Sequence, residues 1–191
     1  MDETFNCKSG WRTGGKNGPS DYLKDYHPPE GWTAIGLKVA LLYEDEDGAW
    51  LRNSHNPGEW YIGYHGVKSV EAIQGICKDG FKRGPRQACT NKDNINPLTS
   101  QIYPQCGEGV YFTNEINEAA KYTGPIYYNN KEYRVVFMCR INPHFVRIAN
   151  IGDNKEYWIV EGEQSGSGDL FGKKKSEQVR PYRILIKKMN N

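Results

Sequence analysis

Trp60-Tyr61-Ile62-Gly63-Tyr64-His65-Gly66 is the stretch on which the reading of this chain turns. It is rich in aromatic residues, contains no Pro and carries no acid or strong base. That composition predicts a strand over residues 60–65. In a strand, side chains alternate between two faces, so Tyr61, Gly63 and His65 share one face and Trp60, Ile62 and Tyr64 the other. Gly66 has no Cβ, which lets another group come close to the backbone just past the histidine. A helix is predicted next, over residues 69–78. Val70, Ile73, Ile76 and Cys77 recur at helical spacing, Ser69 is a suitable cap, and Asp79-Gly80 is a stop signal.

On the N-terminal side of this unit, residues 35–43 form an apolar run of strand length. Glu44-Asp45-Glu46-Asp47-Gly48 follows and reads as a solvated turn, because the ligand offsets of a metal loop are missing. Residues 1–30 are polar and rich in turn residues, and read as an extended arm, either loose or tied down by a partner. On the C-terminal side, residues 81–107 read as a long irregular loop containing Lys82, Arg83 and Arg86, of the kind that forms lids or binding loops. Strands are predicted over 109–113, 133–141, 157–160 and 182–186, with a short helix over 116–122 capped by Asn114. The 133–141 run is nearly apolar throughout and is expected to be central and covered on both faces. Residues 161–177 read as an exposed Gly/Ser- and Lys-rich insertion, with Lys173-Lys174-Lys175 at a solubilising tip. Trp32, Trp50, Trp60 and Trp158 are assigned to the core.

These elements predict an α+β fold in a single domain over residues 31–191. At 191 residues the chain has room for a sizeable core. Hydrophobic residues make up only 37%, and the 13 Tyr and 5 Trp supply buried area in their place. A formal charge of +2 and a pI of about 8.2 argue against a nucleic-acid partner, which calls for a strongly basic face. Five Cys without a CxxC pair fit reduced thiols in a cytoplasmic protein. No metal is expected, since the four His do not cluster with the Cys. No basic segment leads into an apolar run at the N-terminus, and no apolar stretch nears the ~20 residues that span a bilayer, so neither a secretory signal nor a membrane partner is expected.

His65-Gly66, followed in order by Gly80-Phe81, Gly109-Val110-Tyr111-Phe112 and Tyr122 eleven positions after Tyr111, resembles the catalytic domain of poly(ADP-ribose) polymerase-like ADP-ribosyltransferases. Residues 178–186 are similar to that family's last strand, and the resemblance covers about residues 60–188. It implies two packed, mainly antiparallel sheets with a central NAD cleft and a few short helices. It also implies that NAD is a substrate and that no metal is needed. Tyr122 and Tyr111 would stack on the two faces of the nicotinamide ring, the Gly66 N–H and C=O would pair with its carboxamide, and His65 would hold a hydroxyl of the adenosine ribose. Arg83 and Arg86 are candidate pyrophosphate contacts. The departing nicotinamide leaves an oxocarbenium-like ribose, as in glycoside hydrolysis.

Three positions depart from the family pattern. Val67 stands where Ser or Thr is usual, and Ala119 stands where a Ser usually donates to the nicotinamide amide. Tyr157 aligns with the acidic residue of polymerising members. Glu156 lies one residue early and reaches the site only through a bulge, whereas Glu161 shares the face of Tyr157, so both are candidate acids. The function expected is mono-ADP-ribosylation of a macromolecular acceptor. The alternative is a degenerate transferase-fold subunit with a binding or architectural role in a larger assembly. The NAD-using RNA 2′-phosphotransferase relative needs a basic cleft, which the charge disfavours.

Overall fold

The fold is built around Lys131–Ile141, whose sequence KEYRVVFMCRI is buried at every position from Val135 onward. A run this apolar has no face to offer water, so both its edges and both its faces are taken by other parts of the chain. The computed structural model describes residues 2–7, 11, 14–39, 43, 48–82, 94–103, 109–153, 155–161 and 178–189. Along the chain the strands are β1 (Asp2–Cys7), β2 (Gly15–Asn17), β3 (Lys24–Tyr26), β4 (Thr33–Gly36), β5 (Tyr61–Gly66), β6 (Asn94–Ile95) and β7 (Ile102–Tyr103). They continue with β8 (Val110–Thr113), β9 (Ile126–Tyr128), β10 (Lys131–Ile141), β11 (Arg147–Gly152), β12 (Lys155–Val160) and β13 (Val179–Lys188). Helix α1 is Val70–Asp79 and α2 is Ile116–Ala120.

The α+β expectation holds at the level of class: antiparallel pairing dominates and helices are few. In place of the expected two packed sheets, eleven strands form one hydrogen-bonded path, in the order β1-β4-β13-β10-β5-β8-β12-β11-β6-β7 with β9 on β10, and β2 and β3 form a separate two-stranded sheet. The path is continuous because β5 and β8 meet at the single pair Tyr64↔Thr113. Both halves still share one core. Phe137, Cys139 and Ile141 on one face of β10 pack with Phe112, Val146, Ile148, Trp158 and Val160 from the other half. The opposite face of β10, with Val136 and Met138, packs with Ile62, Tyr64, Leu185 and α2 through Ile116 and Ala119. All four tryptophans assigned to the core are buried.

Several local readings change. Of the strand expected over 35–43, residues 35 and 36 belong to β4 (Thr33–Gly36), and the described residues 37–39 leave it, with the Leu37 N–H turned to the Tyr182 carbonyl and the Val39 N–H closed back on Leu37. Asn114 does not cap α2. Its Oδ1 accepts the Glu156 N–H at 3.0 Å, and Glu115 occupies the cap without a side-chain bond. Ser69 does cap α1, accepting the Ala72 N–H, and Gly80 ends it at φ 79°. Only Ala72, Ile73 and Ile76 of α1 pack inward; Val70 and Cys77 face solvent. Within the irregular 81–107 segment, β6 and β7 form a small hairpin joined to β11 at Ile148↔Ile95. Among the described residues no helix is long and apolar enough to cross a membrane.

The polar residues 14–30 lie against β5. Buried Asn17 accepts the Ile62 N–H at 2.7 Å and donates to the Lys24 and Asp25 carbonyls. Tyr61 and Tyr64 donate to the carbonyls of Tyr22 and His27 at 2.6 and 2.7 Å. Fully buried Glu59 accepts N–H bonds from Gly18, Ser54 and His55, with Arg140 Nη1 at 3.5 Å. These side-chain hydrogen bonds, together with the Tyr26 ring buried in the core, hold this segment to the body.

Candidate functional site

Beyond the Tyr64↔Thr113 pair, β5 and β8 are not paired, and a cleft of about 310 Å³ opens there. The N-terminal segment fills the other side of that junction through Asn17, so the opening is one-sided. The cleft is lined by residues 64–68, Ala72 and Ile76 of α1, residues 111–113, Ala119, Tyr122 and Tyr157. His65, Gly66, Tyr111 and Tyr122, distant in sequence, therefore face one hollow.

His65 is half-buried at the end of β5, with its ring against Phe81 at 5.0 Å and Phe112 at 5.3 Å. Its Nδ1 lies 2.7 Å from the Tyr111 carbonyl oxygen. A carbonyl only accepts, so Nδ1 carries the hydrogen and Nε2 of the neutral ring is an acceptor. Burial among the rings lowers the His65 pKa below its ordinary value, and the bond to the Tyr111 carbonyl partly opposes this. The imidazole is thus a neutral hydrogen-bonding group near pH 7.

Gly66 is fixed by two constraints. The Val67 N–H bonds the Val135 carbonyl, and strand alternation then turns the N–H and C=O of residues 62, 64 and 66 away from β10. The Gly66 amide pair therefore points to the β8 side, into the opening. Its missing side chain is also required, because a Cβ there would overlap the Ala119 carbonyl oxygen and crowd Tyr122 C at 3.1 Å and Thr123 Cγ2 at 3.2 Å. The group that approaches this glycine is the last turn of α2, which sets Tyr122 beside the cleft.

Tyr157 completes the aromatic wall. Its hydroxyl is 2.6 Å from the Tyr122 hydroxyl, and its ring meets Tyr111 edge-on at 6.1 Å. The register Tyr157↔Thr113, Trp158↔Phe112, Ile159↔Tyr111 runs without a bulge, so Glu156 is kept on the face of Trp158. There Glu156 Oε1 pairs with Lys24 Nζ at 2.8 Å and Oε2 accepts the Trp158 indole N–H at 2.7 Å. Glu161 follows the end of β12 and is exposed. Neither carboxylate lines the cleft, and among the described lining residues Lys68 alone carries a formal charge. Arg83 and Arg86 lie outside the described residues.

Val67 and Ala119, each 2% exposed, give the inner wall an apolar surface. Sequence reasoning did not assign Lys68, Ala72, Ile76 or Thr113 to the site. For Ala72 and Ile76 the available signal was the inward face of α1; for Lys68 it was mere adjacency to Gly66. Chemically, the lining offers aromatic and apolar walls, the Gly66 backbone donor–acceptor pair, the His65 imidazole, the hydroxyls of Thr113, Tyr111, Tyr122 and Tyr157, and the Lys68 side chain. Such a set suits a flat, partly polar small molecule. Among the described residues no group of three His, Cys, Asp or Glu is placed to hold a metal ion. Comparison of the chain with protein-family models, with curated proteins and with solved structures returned no match.

Proposed function

We propose that the chain is an NAD-dependent mono-ADP-ribosyltransferase that moves one ADP-ribose from NAD to a macromolecular acceptor and releases nicotinamide. The observation that carries this reading is the convergence of His65, Gly66, Tyr111 and Tyr122 on one cleft. In this reading the Gly66 N–H and C=O take the carboxamide oxygen and amino group, and the tyrosine rings desolvate the nicotinamide. His65 Nε2 accepts a ribose hydroxyl. The C1′–N bond breaks with its electron pair going to the nicotinamide nitrogen, which loses its positive charge. The acceptor's nucleophile bonds to C1′ and releases its proton to solvent. Positioning of the reacting groups supplies the rate. The absence of a carboxylate among the described lining residues favours single transfer over chain growth. Incubation with labelled NAD tests the proposal: His65→Ala and Tyr111→Ala are expected to abolish labelling while the protein stays folded. Normal labelling by both variants would overturn it.

A second reading is favoured by the same missing carboxylate together with the apolar Val67 and Ala119. In it the chain is a degenerate subunit that serves a larger assembly as a binding or architectural part. Calorimetry separates the two, since no heat with millimolar NAD or nicotinamide would favour the subunit.

A further inference from the structure

Tyr157 is in contact with both aromatic residues assigned to the nicotinamide faces. Its hydroxyl bonds that of Tyr122 at 2.6 Å, and its ring stands edge-on to Tyr111 with centroids 6.1 Å apart and planes at 75°. All three side chains line the cleft. They are not held equally. Tyr111 and Tyr157 lie on paired strands, with Ile159↔Tyr111 and Tyr157↔Thr113 fixing their register. Tyr122 follows the five-residue helix α2, and the residue is 39% exposed, so packing alone leaves its side chain rotamer freedom. The hydroxyl bond therefore ties a side chain on a helix end to one anchored in the sheet, from one lip of the cleft to the other.

We propose that Tyr157 is the positioning residue of this cleft: it clasps the Tyr122 ring in place beside Tyr111, so that a planar ring enters between walls already set. The proposal rests on the NAD reading above and adds how the stacking pair is held. A ligand that must freeze the Tyr122 ring itself binds more weakly, because the ordering of one side chain is charged to the binding step. The effect expected from losing the clasp is about three- to tenfold in affinity.

The test uses the full chain and nicotinamide as probe, titrated by calorimetry against the parent, Tyr157→Phe, Tyr122→Phe and the double variant. Tyr157→Phe keeps the ring beside Tyr111 and removes only the hydroxyl. Each single variant is expected to weaken nicotinamide about three- to tenfold, with an unchanged unfolding midpoint, and the double variant to be no weaker than the singles. Tyr157→Phe binding as tightly as the parent, or losses that multiply in the double variant, would overturn the proposal. A ligand-free readout separates this inference from the NAD reading: NMR of ring-labelled tyrosine should show Tyr122 gaining motion in Tyr157→Phe. If the parent does not bind nicotinamide but Tyr122 gains motion, the NAD reading falls and the clasp stands for another planar ligand. If the parent binds and neither affinity nor motion changes, the clasp falls alone.

Discussion

Gly66→Ala separates the two demands placed on that position. Its new methyl would overlap the Ala119 carbonyl oxygen and press on Tyr122 C and Thr123 Cγ2. Two of these atoms are main chain, so no rotamer change relieves the overlap. Restoring van der Waals contact requires α2 to move by about 1 Å. The last turn of α2 is braced by the Gly124 N–H to Val67 carbonyl bond at 3.0 Å and by Ile116 and Ala119 in the core. Overpacking of this kind costs about 1–3 kcal/mol. The same displacement carries Tyr122 away from Tyr157, and a misplacement of ~1 Å at a site can cost about a hundredfold in rate. Urea unfolding would measure the first effect and labelling with NAD the second. Gly75→Ala is the control, because it lies in α1 with nothing within 4 Å of its new methyl. That change should stabilise by up to about 1 kcal/mol through helix propensity. If Gly66→Ala were as stable as the parent, the assignment of this glycine to the α2 approach would be wrong.

Three further outcomes follow from the site and its support. The lowered His65 pKa means that the unfolded chain binds a proton more readily than the folded one just below pH 6.5. Stability is then full above that value and falls as pH drops through the window beneath it, and His65→Gln should remove that part of the slope in urea midpoints measured from pH 8 to 5. Ala119→Ser places a hydroxyl on the cleft wall and should tighten nicotinamide by about fivefold, the worth of one hydrogen bond; calorimetry showing unchanged or weaker binding would count against the carboxamide pose. Glu59→Ala strips the partner from the N–H groups of Gly18, Ser54 and His55 and leaves Arg140 buried beside a void. It should cost about 3–5 kcal/mol in urea unfolding, and a loss below 1 kcal/mol would refute the role given to this buried carboxylate.

What could be read in the sequence depended on how each part is held. The central strand over 133–141 and the one over 60–65 announce themselves by apolar runs, and α1 by its cap and stop, because burial and capping leave local marks. The meeting of His65, Gly66, Tyr111 and Tyr122 at one cleft was expected only through the resemblance, since no local rule relates residues so far apart. The segment over 14–30 was illegible for a physical reason. It is fastened by Asn17, by tyrosine hydroxyls and by Glu59, and hydrogen bonds of that kind leave no periodic pattern. Asn114 illustrates the same limit, as its type and place suit a helix cap while its amide serves β12. The short strands β6, β7 and β9 owe their form to their neighbours, and two or three residues carry too little signal to declare it.

The stitching of Asn17 to Ile62 spans 45 positions and joins the start of the chain to the strand that bears the histidine. A polypeptide begun at residue 31, where composition alone would draw a boundary, would leave the Ile62 amide and two tyrosine hydroxyls without the acceptors they have here. Such a truncation should be judged by its refolding yield, since a poor result with it would speak of a missing fastening and not of an empty cleft.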